Sequence, residues 1–342
     1  MSLSGLPQRS PVAETKTNLI EVPKNMLECL REVKVLNKQQ NGDELYMNSI
    51  ENLLPTPTSV KMAIFESFAR QNITDVETDL IPEIYKFIDI KFGIPVNSSS
   101  EIILSDSTKA IFSKLVIQCR DVCGTLFFVA GSNEAYIYAA KLLGACVEII
   151  HTKADDSFKL TEKVVMEAFG SSDKPFLYVT GPTIYPTGMV YSKSEIEDLI
   201  SCCSKGGAHL FVDTSFSGLE FGLQQETWNL RDVDCSNVTV MGNFSSQLLS
   251  GGLELSYALV HNSFLNGFND NLNFGKPHGT LRYAIKKLLK LYNEKDANYH
   301  KELTHQRSSL LERAESFCQV IVKAFFVCIS CIHFFLLLIL MM

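Results

Sequence analysis

Short β-rich apolar runs recur through the middle of the chain. They fall at Ile102–Leu104, Thr125–Ala130, Cys146–His151, Phe176–Thr180, His209–Asp213, Asn237–Met241 and Leu255–Val260, and helical segments separate most of them. Six or seven strands with interleaved helices predict a largely parallel sheet covered on both faces. Ser192-Lys-Ser-Glu195 has the spacing of a capping box, opening a helix that stops at Gly206-Gly207. Upstream, a helix is expected near Asn25–Val35. A second starts at Thr56-Pro57, with Thr56 as N-cap and Pro57 at the first helical position. A third is expected over Ile81–Phe92, with Pro82 in its first turn and Gly93 and Pro95 beyond its end. Another helix is expected near Gly279–Asn293.

Ala324–Met342 has only Ser330 and His333 as polar members apart from its cysteines. As a helix it would reach roughly 28 Å, close to the ~30 Å of a hydrocarbon core. It reads as a membrane anchor with Lys323 at its edge, or as a buried core helix. The expectation taken is read-through of non-coding sequence that cuts a second domain short. The organisation that follows is an arm and first helix over 1–48, a large domain over 49–275, the start of a truncated small domain over 276–319 and the apolar tail over 320–342.

A 46% hydrophobic content with 20% charged residues suits a globular α/β protein. The net charge of −7 argues against a nucleic-acid partner, since phosphate contacts need clustered Lys and Arg. Ten cysteines lie scattered without a paired framework, and the first ten residues lack the apolar core of a signal peptide. These features point to a cytosolic, reducing setting, with the membrane as the alternative if the tail is genuine. Cys328-Ile-Ser-Cys331 has redox spacing without a βαβ context, and Cys119 with Cys123 has no further ligands to complete a metal set.

Three segments carry a resemblance: Gly-Pro-Thr-Ile-Tyr-Pro-Thr-Gly from Gly181 to Gly188, His-Leu-Phe-Val-Asp-Thr-Ser-Phe from His209 to Phe216, and Gly-Asn-Phe-Ser-Ser-Gln from Gly242 to Gln247. In that order and spacing the chain resembles the fold-type I enzymes that use pyridoxal phosphate (PLP), the class I/II aminotransferases. The match runs from about Ser49 to Tyr257. It implies a three-layer large domain around a mostly parallel seven-stranded sheet with one antiparallel strand, and dimerisation through that domain. It also implies PLP held as an imine by one lysine, with an aspartate on the pyridine nitrogen.

Asp213 stands at the position of that aspartate. A plain strand-end aspartate capping a turn is the other reading of it. The remaining positions depart from the family. The lysine is Ser246, and no lysine occurs between Gly206 and Gly275. Tyr185 replaces the asparagine that reaches the ring hydroxyl, Phe216 replaces the tyrosine that shares it, and Glu254 replaces the arginine that grips the phosphate. Gly131-Ser-Asn133 stands where an aromatic residue stacks on the ring. The phosphate-binding turn is Ser105-Asp106-Ser107-Thr108, with Asp106 in place of glycine and expected to act as N-cap of its helix. A carboxylate ~5 Å from a phosphate costs roughly 3 kcal/mol per unit charge at an effective dielectric of ~20. A hydroxyl forms no imine, so covalent PLP binding is not expected, and the old pocket (Ser105, Asp106, Ser107, Tyr185, Asp213, Phe216, Ser246 and Glu254) reads as degenerate.

Within this superfamily the chain is similar to the C-terminal, aminotransferase-like region of the plant methionine S-methyltransferases. The stretches that carry this are Ser4-Gly-Leu-Pro-Gln-Arg-Ser-Pro-Val, Asn52-Leu-Leu-Pro-Thr-Pro-Thr-Ser-Val and the run from Gly242 to Leu255. The likeness implies a larger transferase that moves a methyl group from S-adenosylmethionine to methionine. Its S-adenosylmethionine site would lie in a separate methyltransferase domain, the expected partner, because no Gly-rich loop follows an early strand here. Two other readings stay open. One is a working PLP enzyme whose amine comes from Lys205 or Lys276, and the other is a membrane-anchored interaction protein.

Overall fold

The computed structural model describes residues 54–69, 76–94, 100–218, 228–250, 252–265 and 277–324. Helices α1 (Thr58–Ala69) and α2 (Val76–Phe92) precede β1 (Ser100–Ser105). Then follow α3 (Thr108–Asp121), β2 (Thr125–Val129), α4 (Glu134–Leu142), β3 (Cys146–Ile150), α5 (Glu162–Phe169) and β4 (Pro175–Thr180). The chain continues through α6 (Lys193–Lys205), β5 (His209–Asp213), β6 (Val238–Asn243), α7 (Phe244–Gln247), β7 (Ser256–His261) and α8 (Asn262–Leu265). It closes with α9 (Gly279–Asn293) and α10 (Ala297–Ala324).

The seven strands form one sheet in the order β1-β7-β6-β5-β4-β2-β3. Strand β7 runs antiparallel to both its neighbours, and the other strand pairs are parallel. All seven apolar runs are strands, because a sheet covered on both faces needs apolar residues pointing both ways. In β5, Leu210 and Val212 face one core while Phe211 faces the other. The first core packs the sheet against α2, α5, α6 and α9, through residues such as Phe87, Val165, Ile200 and Leu288. The second packs it against α3 and α4, through Phe112, Leu115 and Ala140 against Phe128, Tyr178 and Phe211.

The capping box forms as expected. Glu195 N–H donates to Ser192 Oγ at 3.2 Å, and Ser192 N–H donates to Glu195 Oε2 at 2.7 Å. Helix α9 also spans the expected residues. Two helix starts differ from expectation. Helix α1 begins at Thr58, and the N–H of Ser59 in its first turn donates to Glu302 Oε2 on α10 at 3.0 Å, so a distant carboxylate takes the role expected of Thr56. Helix α2 begins at Val76 and carries Pro82 inside it. Burial of Leu80, Ile84, Phe87 and Ile88 along one face holds the helix together across the hydrogen bond that proline removes. The expected helix near Asn25–Val35 and the tail from 325 onward lie outside the described residues. No described helix is long and apolar enough to cross a membrane.

At the start of β5, His209 hydrogen-bonds Thr239 Oγ1 at 2.8 Å and stacks on Phe264 with ring centroids 4.3 Å apart. Burial pushes its pKa down to about 3 from 6.5, helped by nearby His261. Below pH 6.5 the unfolded chain takes up a proton that the native state refuses until about pH 3, so stability falls as the pH drops. Replacing His209 with Phe should shrink the loss of unfolding free energy between pH 7 and pH 5 by about 1–2 kcal/mol. Urea titrations of both proteins at the two pH values check this.

Candidate functional site

The C-terminal edge of the parallel strands is where this sheet type places its ligands, and Asp213 ends β5 there. It is 3% exposed. Its carboxylate has three donors from the chain itself. Tyr178 Oη donates to Oδ2 at 2.9 Å, while the N–H and hydroxyl of Ser215 donate to Oδ1 at 3.0 and 2.6 Å. The pairing of β4 with β5 sets Tyr178 beside Phe211, so its ring stands on Asp213's face of the sheet and its hydroxyl reaches the carboxylate. Burial raises the Asp213 pKa against the pull of these three bonds, and burial beside Asp213 also raises Tyr178, so the proton stays on the phenol. The Ser215 contacts make Asp213 a turn-capping residue as well.

Ser246 sits one turn into the segment that follows β6. Its hydroxyl lies 2.6 Å from Ser215 O and 3.1 Å from Asn243 O. Beside it, buried Gln247 donates to Thr214 O at 2.8 Å and accepts from Tyr257 at 3.2 Å, while Thr214 Oγ1 donates to Met241 O. These bonds tie the ends of β5, β6 and β7 together under the pocket. Gly242 belongs to the same floor: a methyl group there would lie 2.8 Å from Gln247, Thr214 and Tyr257 atoms.

Tyr185 and Phe216 come together across the mouth, with rings stacked at 5.8 Å and 14°. The turn that places Tyr185 is held by its N–H donating to Thr180 Oγ1 at 2.7 Å. The head of α3 joins the site through Thr108 Oγ1, 3.1 Å from Ser256 Oγ, which also accepts from Asn243 Nδ2 at 3.1 Å. Its N-cap is Ser107, not Asp106: the Ser107 hydroxyl accepts from Ala110 N–H at 3.2 Å. Asp106 stays exposed, where its charge remains solvated, and accepts from Ser105 Oγ at 3.3 Å. Glu254 is also exposed, on the turn before β7.

An aromatic side chain does stand near Asp213 despite the Gly131-Ser-Asn133 segment. Tyr136 of α4 stacks on Tyr178 at 5.6 Å and 26°, and the charge of Asp213 helps raise its pKa behind burial. The positions that sequence reasoning missed are therefore Tyr178, Ser215, Tyr136 and Gln247. Alternation along β4 puts Tyr178 and Thr180 on one face, but the register against β5 that brings Tyr178 to Asp213 is not written in either strand alone.

Lys205, a candidate source of the amine, ends α6 and pairs with exposed Glu162 at 3.1 Å. Strand β5 runs from His209 away to Asp213, so Lys205 lies at the opposite edge of the sheet from the pocket. Lys276 lies outside the described residues. Lys114 of α3 is buried; desolvation lowers its pKa while Asp106 draws it up.

With this geometry in view, the chain belongs to the aminotransferase class I and II family, whose model matches residues 45–341. The chain is similar to the methionine S-methyltransferases of Arabidopsis thaliana, 42% identical over 75% of this chain, and Zea mays, 36% identical over 81%. The chain spans about a quarter of the length of these relatives, 24% and 26%. Among solved structures, an aspartate aminotransferase of Thermus thermophilus with maleate superposes with a TM-score of 0.73 at 17% identity, covering 87% of this chain and 77% of that one. An aspartate aminotransferase of Thermotoga maritima gives 0.71 at 17% identity, over 89% and 79%. At such identities the likeness is one of fold.

The residues present do not fit PLP held in the manner that the family resemblance implies. Ser246 offers no amine, Asp106 brings a negative charge to the phosphate turn, and the Asp213 carboxylate is buried under donors from Tyr178 and Ser215. If Tyr178 is the structural partner of Asp213, Tyr178→Phe should lower stability by roughly 1–3 kcal/mol. The loss should be larger at pH 8 than at pH 5, because removing a donor makes the ionised carboxylate costlier to bury. Urea unfolding at both pH values, against wild type, measures this; a loss independent of pH would remove Asp213 from the explanation.

Proposed function

We propose that this chain is the aminotransferase-like module of a methionine S-methyltransferase and carries no PLP chemistry of its own. The observation that carries the reading is Ser246, whose hydroxyl is bound to the backbone at Ser215 O, 2.6 Å away, where an imine-forming amine would be required. One altered position would leave room for a substitute. Here Tyr185, Phe216, Ser246, Glu254 and Asp106 all differ from the family's ligand set, and each change removes a contact or adds a repulsion.

In this reading methyl transfer from S-adenosylmethionine to methionine belongs to the part of the relatives that the chain does not span. The module's partners are that methyltransferase part and a second copy of itself, and its role is structural or regulatory. The free thiols of Cys119, Cys202 and Cys203, all buried, agree with a reducing, cytosolic setting.

The chain incubated with S-adenosylmethionine and methionine should yield no S-methylmethionine, and with amino-acid and keto-acid pairs no transamination. Ser246→Lys should leave transamination at background, since the phosphate turn and the ring contacts stay wrong. Product assay by mass spectrometry decides it. Methyl transfer by the chain alone would overturn the modular reading, and turnover in the Ser246→Lys protein would overturn the view of a pocket altered throughout.

A further inference from the structure

At the edge of the sheet opposite Asp213, a cavity of about 210 Å³ opens where β6 and β1 begin and β7 ends. Its floor is aliphatic. Val238 and Val240 alternate along β6 onto one face, Leu259 of β7 pairs with Val240, and Ile94 just beyond α2 joins them in the first core. Val233 and Cys235, on the segment leading into β6, close one side. Burial pushes the Cys235 thiol up to about 12, so it stays protonated and serves as part of the apolar wall.

Two side chains of the lining are of another kind. Asp234 is exposed, and its Oδ1 accepts from Ser236 N–H at 2.9 Å. The N–H and hydroxyl of Ser236 hold its pKa below the usual carboxylate value, with nearby His261 adding to the effect. It is therefore ionised at neutral pH. His261 ends β7 opposite Ser100, the first residue of β1. Its Nδ1 accepts from Ser263 N–H at 3.2 Å, so the neutral ring carries its proton on Nε2. An anion and an N–H donor thus flank one aliphatic recess.

A carboxylate takes an ammonium, an imidazole N–H takes a carboxylate, and an aliphatic recess takes a hydrocarbon chain. The volume is below the ~300–1,000 Å³ of sites for drug-sized molecules, which sets nucleotides and PLP aside. We infer that this cavity binds a neutral aliphatic α-amino acid. Its ammonium would lie on Asp234, its carboxylate on His261 and its side chain against Val238, Val240 and Leu259. The site is separate from the Asp213 pocket and needs no PLP chemistry. It gives the regulatory role proposed above a ligand site, and its test does not depend on that role.

The test is thermal unfolding of the whole chain with increasing L-leucine or L-methionine at constant pH and ionic strength. A saturable rise in Tm is expected with at least one of them, because a ligand that binds only the native state stabilises it by mass action. Glycine, which lacks the side chain, and isobutylamine, which lacks the carboxylate, should give no such rise at the same concentrations. Asp234→Asn keeps an acceptor for Ser236 and loses the charge, so it should raise the half-saturation concentration about tenfold or more. Asp232→Asn, at an exposed neighbour outside the cavity, should leave it unchanged. In the unaltered protein, saturating ligand should slow alkylation of Cys235 by N-ethylmaleimide and leave exposed Cys123 and Cys146 reacting as before. No saturable rise with either amino acid, an equal rise with glycine or isobutylamine, an unchanged half-saturation in Asp234→Asn, or no protection of Cys235 would overturn the inference.

Discussion

A carboxylate buried at the end of a strand must find donors, and in this fold the solution chosen for Asp213 shapes everything around it. In enzymes that the fold resembles, a bound ring would supply one donor. Here Tyr178 and Ser215 do so, from the neighbouring strand and from the turn just after it. Charged hydrogen bonds of this kind contribute about 1.5–3 kcal/mol each when intact. The carboxylate is thereby satisfied by covalently attached partners that need no ligand. Ser246 extends the same logic by spending its hydroxyl on the backbone of Ser215 and Asn243. Gln247, Thr214 and Tyr257 complete a floor in which strand ends are bound to one another.

Much of this was legible in the sequence, and the parts that were not share a cause. The strands were readable because each is an apolar run bounded by turn residues, and α6 because Ser192 and Glu195 form a local, reciprocal cap. The gathering of Tyr185, Asp213, Phe216 and Ser246 followed from motif order. What escaped depends on partners far along the chain. Glu302 caps α1 across the molecule, the apolar face of α2 carries Pro82 within the helix, and the register of β4 on β5 delivers Tyr178 to Asp213. Asp106 and Ser107 compete for one cap at adjacent positions, and the composition of the turn alone does not rank them.

In the proposed reading, Ser246, Asp106 and Glu254 put hydroxyl and carboxylate groups where the family would hold an anionic cofactor. Fold alone does not decide chemistry, and the same layers can carry different charges.

The central claim is that the pocket is closed by its own side chains and forms no imine with PLP. The direct measurement is to mix the protein with PLP, reduce with borohydride and map labelled lysines by mass spectrometry. The account predicts no stoichiometric label at any single lysine, with only scattered, substoichiometric modification of exposed amines. Stoichiometric labelling of one lysine would contradict it, showing that an amine from elsewhere in the chain reaches the cofactor.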